Sequence, residues 1–100
     1  MVKLSVLYGQ PKDAAAFEKY YAGTHMPIAE KMQGVNKIEL SKVVGTPDGS
    51  APAFYRMADL YFDSVDQMKR VMDTPEAKAT VADLANFATG GVTVLISEAS

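Results

Sequence analysis

The 100-residue sequence contains no cysteine, no tryptophan and a single histidine. Without cysteine the chain can form neither a disulfide nor a thiolate metal site, and it has no cysteine nucleophile. The absence is compatible with a reducing compartment, and we expect a cytoplasmic protein. Because no second imidazole stands at ligand spacing from His25, the sequence predicts no bound metal.

Long charged or apolar runs are also missing. Ten basic and twelve acidic residues give a net charge of −2, with no basic block of the kind that neutralises phosphates, so nucleic acid is not an expected partner. No apolar segment approaches the length of a membrane-spanning helix, and the alternating N-terminus does not fit a signal peptide. A chain of this length has room for one core, so residues 1–100 are predicted to form one domain.

The hydrophobic periodicity predicts the element order β-α-β-β-α-β. Strands are expected at residues 2–8, 37–44, 54–62 and 92–97. The first helix is predicted to begin at the N-cap Asp13 and to stop at Gly34, with Lys31 in its last turn, and the second is split, with Ser64 and Thr74 as N-caps. This order indicates a ferredoxin-like α+β protomer, in which a four-stranded antiparallel sheet carries both helices on one face.

The opposite face of that sheet has no helix to cover it. The third strand is apolar on both sides, with one set of alternate residues, Phe54, Ala58, Leu60 and Phe62, facing away from a second set, Tyr55, Met57 and Tyr61. The simplest cover is a second copy of the same sheet, which predicts a homodimer built through the sheet face. The alternative is a monomer with an unusually aromatic surface.

The only histidine lies in the segment YYAGTHMPIAEKM, Tyr20 to Met32. On a helical wheel it shares a sector of about 80° with Phe17, Tyr21, Ile28 and Met32, so His25 is expected to face the protein interior. Pro27 lacks the N–H that would bond the carbonyl of Gly23, and the helix is therefore predicted to bend or restart there. A freed carbonyl beside an inward imidazole would create a polar spot under an apolar layer, with room for a ligand.

Two roles for His25 remain open at this point: a general acid or base, and a structural side chain that hydrogen-bonds a nearby carbonyl or tyrosine hydroxyl. Asp59 either pairs with Arg56 or a lysine across the dimer, or faces His25 and orients its imidazole. Tyrosines at strand and helix spacing are typical of a core, but their hydroxyls can also serve a pocket. Four side chains are candidates for contact with a substrate: Tyr8, Tyr21, Asp59 and Tyr61.

The segments VLYGQP and FEKYYAGTHMPIAEKMQGV resemble the opening of the EthD-like family, within the dimeric α+β barrel superfamily. The segment ADLYFDSVDQMKRVMDTPEAKATVADLANFATGG is similar to the second half of that family. The His-x-Pro element, here His25 and Pro27, is the most recognisable mark, whereas Gln33 stands where proline is common. The resemblance covers nearly the whole chain and implies a ferredoxin-like protomer, a homodimer built through the sheets, and a cavity between helices and sheet with His25 at its wall.

The same resemblance leaves the reaction open. The founding member belongs to an ether-degrading oxygenase system, members are often called reductases, and similar barrels are cofactor-independent cyclases, isomerases or monooxygenases. No flavin, haem or nicotinamide motif is visible, so no cofactor is expected and the name reductase has no support in the sequence. We expect an apolar or aromatic metabolite to bind, with cofactor-independent acid/base or oxidoreductase-type chemistry at His25. The alternatives are a non-catalytic accessory protein of an oxygenase or degradation pathway, and haem binding through His25.

Overall fold

Four antiparallel strands with helices on one face make up the computed structural model, which describes residues 1–99. The strands are β1 (Val2–Gly9), β2 (Lys37–Lys42), β3 (Phe54–Phe62) and β4 (Val92–Glu98), in the sheet order β2-β3-β1-β4. The helices are α1 (Ala14–Tyr20), α2 (Met26–Ala29), α3 (Val65–Met72) and α4 (Pro75–Asp83). The predicted ferredoxin-like βαββαβ protomer is confirmed.

The predicted N-caps are all present. Each cap side chain accepts a hydrogen bond from the backbone N–H three residues on: Asp13 from Ala16, Ser64 from Gln67 and Thr74 from Ala77. The first helical segment ends earlier than predicted, because α2 stops at Ala29 and Lys31 lies beyond it. Gly34 follows with a positive φ of 88°, which glycine adopts without a steric penalty, and it ends the turn that leads to β2.

Strand register decides which side chains reach the helix layer. Leu4 and Val6 of β1 lie opposite Leu60 and Ala58 of β3, and these residues face the helices together with Phe62, which is fully buried. The alternate positions face away from the helices. The prediction that Tyr55 shares that far face is wrong: a register shift lies between Tyr8 and Gly9, and the Tyr55 ring packs 5.3 Å from the ring of Phe17 in α1.

The strand β4 is exposed along its whole length. Its apolar side chains remain between about two fifths and three fifths accessible: Val92 39%, Val94 48%, Leu95 53% and Ile96 57%. Because consecutive residues of a strand point to opposite faces, both faces of β4 are uncovered within the protomer. None of the helices formed by residues 1–99 has the length and hydropathy of a membrane span.

Candidate functional site: a buried histidine at an apolar cavity

The helix that carries the histidine changes its hydrogen-bonding pattern at the predicted flaw. Residues Tyr21–His25 form a π-helical turn between α1 and α2, and the Met26 N–H donates to the carbonyl of Tyr21, five residues back. Pro27 has no N–H to offer the Gly23 carbonyl, so a wider turn absorbs the missing bond. The prediction of an interrupted helix is confirmed, and the interruption places the His25 side chain in the interior, where it is 3% exposed.

A carboxylate from the second pair of helices holds the imidazole. His25 Nδ1 lies 2.9 Å from Asp83 Oδ2, and both side chains are buried. Asp83 is the last residue of α4, and its other oxygen, Oδ1, accepts hydrogen bonds from the Tyr20 hydroxyl at 2.7 Å and from Asn86 Nδ2 at 2.9 Å. Because the carboxylate accepts a hydrogen bond from Nδ1–H of the ring, Nε2 is the ring nitrogen that remains for a ligand.

These contacts shift the acidity of the groups that make them. Desolvation raises the pKa of Asp83, but hydrogen bonds from Asn86, Tyr20 and His25 outweigh it and hold the pKa of this carboxyl below its usual range. The bond to Asp83 in turn raises the pKa of the Tyr20 hydroxyl. Asp83 is thus an ionised acceptor that fixes the tautomer and orientation of the histidine ring.

A cavity of about 50 Å³ lies beside the ring, between the helices and the sheet. Its wall is almost entirely apolar and includes Leu4, Val6, Met26, Ala29, Met32, Ile38, Leu40, Ala58, Leu60, Met72, Val81 and Leu84. The side chains in its wall that carry polar atoms are His25, Tyr8, Tyr21 and Thr80. The Thr80 hydroxyl donates to the Glu76 carbonyl at 2.9 Å, so the histidine and the two tyrosines are the groups placed to address a ligand.

The Tyr21 hydroxyl is the least satisfied polar group of this wall. Within residues 1–99 it is fully buried and has no hydrogen-bond partner. Burial raises the pKa of Tyr21, although the positive charge of Arg56, whose guanidinium carbon lies 5.1 Å from the ring centroid, opposes the rise. Burial also raises the pKa of Tyr8, so both phenols are held neutral and can donate a hydrogen bond. A buried donor without a partner indicates a place that a ligand atom can fill.

Two of the predicted substrate-binding residues lie elsewhere. Asp59 and Tyr61 occupy positions of β3 that alternate with the buried ones, so they sit on the sheet face opposite His25 and take no part in the cavity wall. Asp59 accepts a hydrogen bond from Ser5 at 2.5 Å, and the Tyr61 hydroxyl donates weakly to Glu39 at 3.4 Å. The structure therefore brings Tyr8, Tyr21 and His25 together and separates Asp59 and Tyr61 from them.

Sequence reasoning missed the residues that hold the imidazole. The Phe87 ring packs against the His25 ring with 4.6 Å between their centroids, and the Tyr20 ring stacks on Phe87 with 5.2 Å between theirs. No motif or spacing in the sequence marks Asp83 as a buried residue, although it is only 7% exposed. One signal was available: a buried histidine needs a polar or acidic partner, and a carboxylate on a neighbouring helix can supply it.

Residues 1–99 contain no group of three or more potential ligands placed to hold a metal ion.

The fold and this site define a ferredoxin-like α+β protein with a histidine at the wall of an apolar cavity. The EthD domain matches residues 9–91, and the chain belongs to that family. An uncharacterised 11.0 kDa protein encoded in the thcB-thcC intergenic region of Rhodococcus erythropolis is 35% identical over 98 residues, which is 98% of this chain and 94% of that protein.

Solved structures agree with the family and the fold. An ethyl tert-butyl ether D (EthD) family protein from Bacillus halodurans superimposes with a TM-score of 0.92 at 37% identity, over 100% of this chain and 99% of that one. A dimeric protein of unknown function with a ferredoxin-like fold, from Bacteroides fragilis, gives a TM-score of 0.66 at 22% identity, over 98% and 95% of the two chains. The second similarity supports the fold alone.

Proposed function

We propose that this chain binds a small apolar or aromatic metabolite carrying an oxygen function, and that His25 exchanges a proton with it without a cofactor. The observation that carries the proposal is the pairing of His25 Nδ1 with Asp83 beside a cavity that is also lined by Tyr21, whose buried hydroxyl has no partner within residues 1–99. An imidazole is the side chain best suited to proton transfer near neutral pH. The apolar wall supplies the water-poor surroundings in which such a transfer is effective.

The chemistry is a proton transfer that balances within the substrate. His25 Nε2 accepts a proton from a carbon next to a carbonyl, and the electron pair of that C–H bond moves onto the carbonyl oxygen. The Tyr21 hydroxyl donates a hydrogen bond to the oxygen as its charge develops. Return of the proton from Nε2 to a different carbon of the conjugated enolate restores the carbonyl and completes an isomerisation. In a cyclisation, the enolate carbon instead attacks a second carbonyl carbon of the substrate, the π pair of that C=O bond moves onto its oxygen, and that oxygen takes the proton from Nε2. Neither outcome requires an oxidant or a reductant.

The second candidate is a binding protein that captures the metabolite for a partner enzyme and performs no chemistry. The same Asp83 contact favours it, because the carboxylate stabilises the buried imidazole through Nδ1, and Nε2 can then hydrogen-bond a ligand without any proton transfer. Incubation with ligands that co-purify, identified by native mass spectrometry, separates the two candidates. A ligand that is bound and converted to a product supports the enzyme. A ligand that stays bound and unchanged supports the binding protein.

A pair of matched variants tests where the ligand oxygen binds. Tyr21→Phe is expected to weaken binding of an oxygen-bearing ligand about threefold to tenfold, because one hydrogen bond to the ligand is lost. The same change is expected to stabilise the free protein by about 1 kcal/mol or more, since it removes a buried hydroxyl without a partner. Isothermal titration calorimetry and urea unfolding measure the two effects.

The control is Tyr61→Phe, which removes the same hydroxyl from the opposite sheet face, where its bond to Glu39 is long and exposed. We expect unchanged ligand affinity in this variant. Equal affinity losses in Tyr21→Phe and Tyr61→Phe, or none in either, would contradict the assignment of the cavity as the binding site.

We also propose that the protein is a homodimer joined through the helix-free sheet face. The apolar residues exposed on β4 support this assembly, since a strand uncovered on both faces is unusual for a monomer in water. Leu95 lies on the helix-free face, paired with Ser5 of β1 in the sheet. The similar protein from Bacteroides fragilis is described as dimeric, and we extend that description to this chain as part of the proposal.

Leu95→Lys is expected to convert the protein from a dimer of about 22 kDa, twice the 10.8 kDa chain mass, into a monomer, because a buried ammonium at the sheet–sheet contact would have no partner. Val44→Lys is the control, since Val44 is 99% exposed and lies outside the sheet. Sedimentation velocity gives both masses. A wild-type mass of 10.8 kDa, or an unchanged dimer in Leu95→Lys, would refute this interface.

A further inference from the structure

The cavity beside His25 is too small for the ligand that its chemistry suits. Its volume is about 50 Å³. An engineered apolar cavity that holds one benzene molecule has a volume of about 150 Å³. A ring-sized metabolite therefore enters only if part of the wall moves, and the walls that can move decide which ligands reach the imidazole.

Part of the wall is held in place. Leu4, Ala58 and Leu60 belong to central strands whose backbones are paired on both sides. Tyr8 and Tyr21 are fixed by ring contacts, at 5.6 Å from each other and at similar distances from Phe17 and Phe87. His25 is fixed by Asp83. Displacing any of these would break sheet pairing, aromatic packing or a buried hydrogen bond.

Three methionines also line the wall: Met26, Met32 and Met72. They come from three different places, α2, the turn after it, and α3. Methionine is unbranched, has three rotatable side-chain bonds and a polarisable sulfur, so it changes shape at little cost and packs well against aromatic rings. Half of the six methionines of the chain thus surround one cavity.

The position of the opening singles out one of the three. Leu40 of β2 and Val81 of α4 line the cavity and are 42% and 52% exposed, so the cavity opens to solvent between β2 and α4. Met26 and Met72 are both half-buried, whereas Met32 is only 9% exposed. Of the two half-buried side chains, Met72 is the one at the end of α3, immediately before α4, the helix that carries Val81.

We propose that Met72, assisted by Met26 and Met32, is the specificity-determining wall of the site: its side chain moves aside to admit the ligand, and its length sets the largest ring system that reaches His25. The inference rests on the proposed function, since the ligand is taken to bind beside the imidazole. The ligand class that fits is a single planar apolar ring bearing one oxygen function. The thioether packs against the ring face, and the oxygen meets Tyr21 and His25.

Met72→Ala tests the wall directly, with benzene, phenol, naphthalene and 1-naphthol as probes. Removing the side-chain atoms beyond Cβ is expected to raise the affinity for the two-ring probes, relative to the one-ring probes, about tenfold or more. Binding is followed by NMR of the methionine methyl groups, which also reports whether the Met26 and Met32 methyls shift when a probe enters. Met72→Leu, a volume-conserving exchange, serves if the alanine variant does not fold, and is expected to narrow the range of probes that bind.

Met68→Ala is the matched control. Met68 lies one turn earlier on the same helix and is 4% exposed, but it takes no part in the cavity wall. It is expected to destabilise the fold, seen as a lower midpoint of urea unfolding, without altering the preference for ring size. An unchanged preference in Met72→Ala, or an equal change in Met68→Ala, would overturn the inference.

The probes without oxygen separate this inference from the proposed function. If Met72→Ala gains affinity for naphthalene, but phenol binds the wild type no better than benzene, the wall assignment stands and the oxygen contact fails. If phenol outbinds benzene and Met72→Ala leaves the size preference unchanged, the oxygen contact stands and the wall assignment fails.

Discussion

Turnover of the bound substrate is expected to fall about 10²–10⁴-fold when His25 is replaced by glutamine. Glutamine keeps much of the side-chain volume and can still donate a hydrogen bond to Asp83, so the buried contact and the fold are expected to persist. It cannot accept and return a proton near neutral pH. The loss should therefore appear in kcat, while the dissociation constant of the ligand changes by no more than the value of one hydrogen bond, about threefold to tenfold.

The measurement compares single-turnover rates and equilibrium binding for the wild type and His25→Gln, on the compound that co-purifies with the protein. Asp59→Asn is the control, because it neutralises a carboxylate on the opposite sheet face, where the partner is Ser5. We expect full turnover in that variant. Full turnover in His25→Gln with the fold intact would remove the catalytic role and leave ligand binding alone.

The fold could be predicted from the sequence because the patterns that indicate its strands, helix caps and turns are local. Alternation in β1, the caps Asp13, Ser64 and Thr74, and the glycine turn at Gly34 each act over a few residues, and the structure has all of them. The same locality explains the error at Tyr55. A register shift between β1 and β3 depends on how two distant strands meet, and strict alternation within one strand cannot reveal it.

Only part of the site could be predicted from the sequence, because the rest depends on contacts between distant segments. Inward spacing identified His25 and Tyr21, which lie one turn apart, and strand alternation identified Tyr8. Asp59 and Tyr61 are separated from these residues because they lie on the face of β3 that does not meet the helices. Both faces of β3 carry apolar residues, so the sequence did not show which face packs against the helices. The Asp83 contact joins residues 58 positions apart, so it required the packing of α4 against the first helical segment.

Replacing Asp83 with asparagine is expected to change the histidine tautomer and to lower turnover about 10²–10⁴-fold, while ligand affinity changes far less. An amide can donate to Nδ1 as well as accept from it, so the ring is free to carry its proton on Nε2, where a base is needed. Because the chain has one histidine, ¹⁵N NMR of the imidazole shows a single ring. We expect its Nδ1–H signal in the wild type to give way to Nε2–H in Asp83→Asn, with no substrate required.

Acid unfolding supplies the second readout for Asp83→Asn. A carboxyl whose pKa is lower in the folded than in the unfolded chain stabilises the fold fully above its ordinary pKa, here 3.8, and the stabilisation is lost as the pH falls through the lowered value. At neutral pH we expect the variant to unfold about 1–3 kcal/mol more easily, because Tyr20, His25 and Asn86 lose a charged acceptor. The gap between wild type and variant should narrow as urea unfolding is repeated below pH 3.8. A gap that stays constant with pH, together with an unchanged imidazole spectrum, would show that Asp83 neither orients His25 nor is held ionised by its three partners.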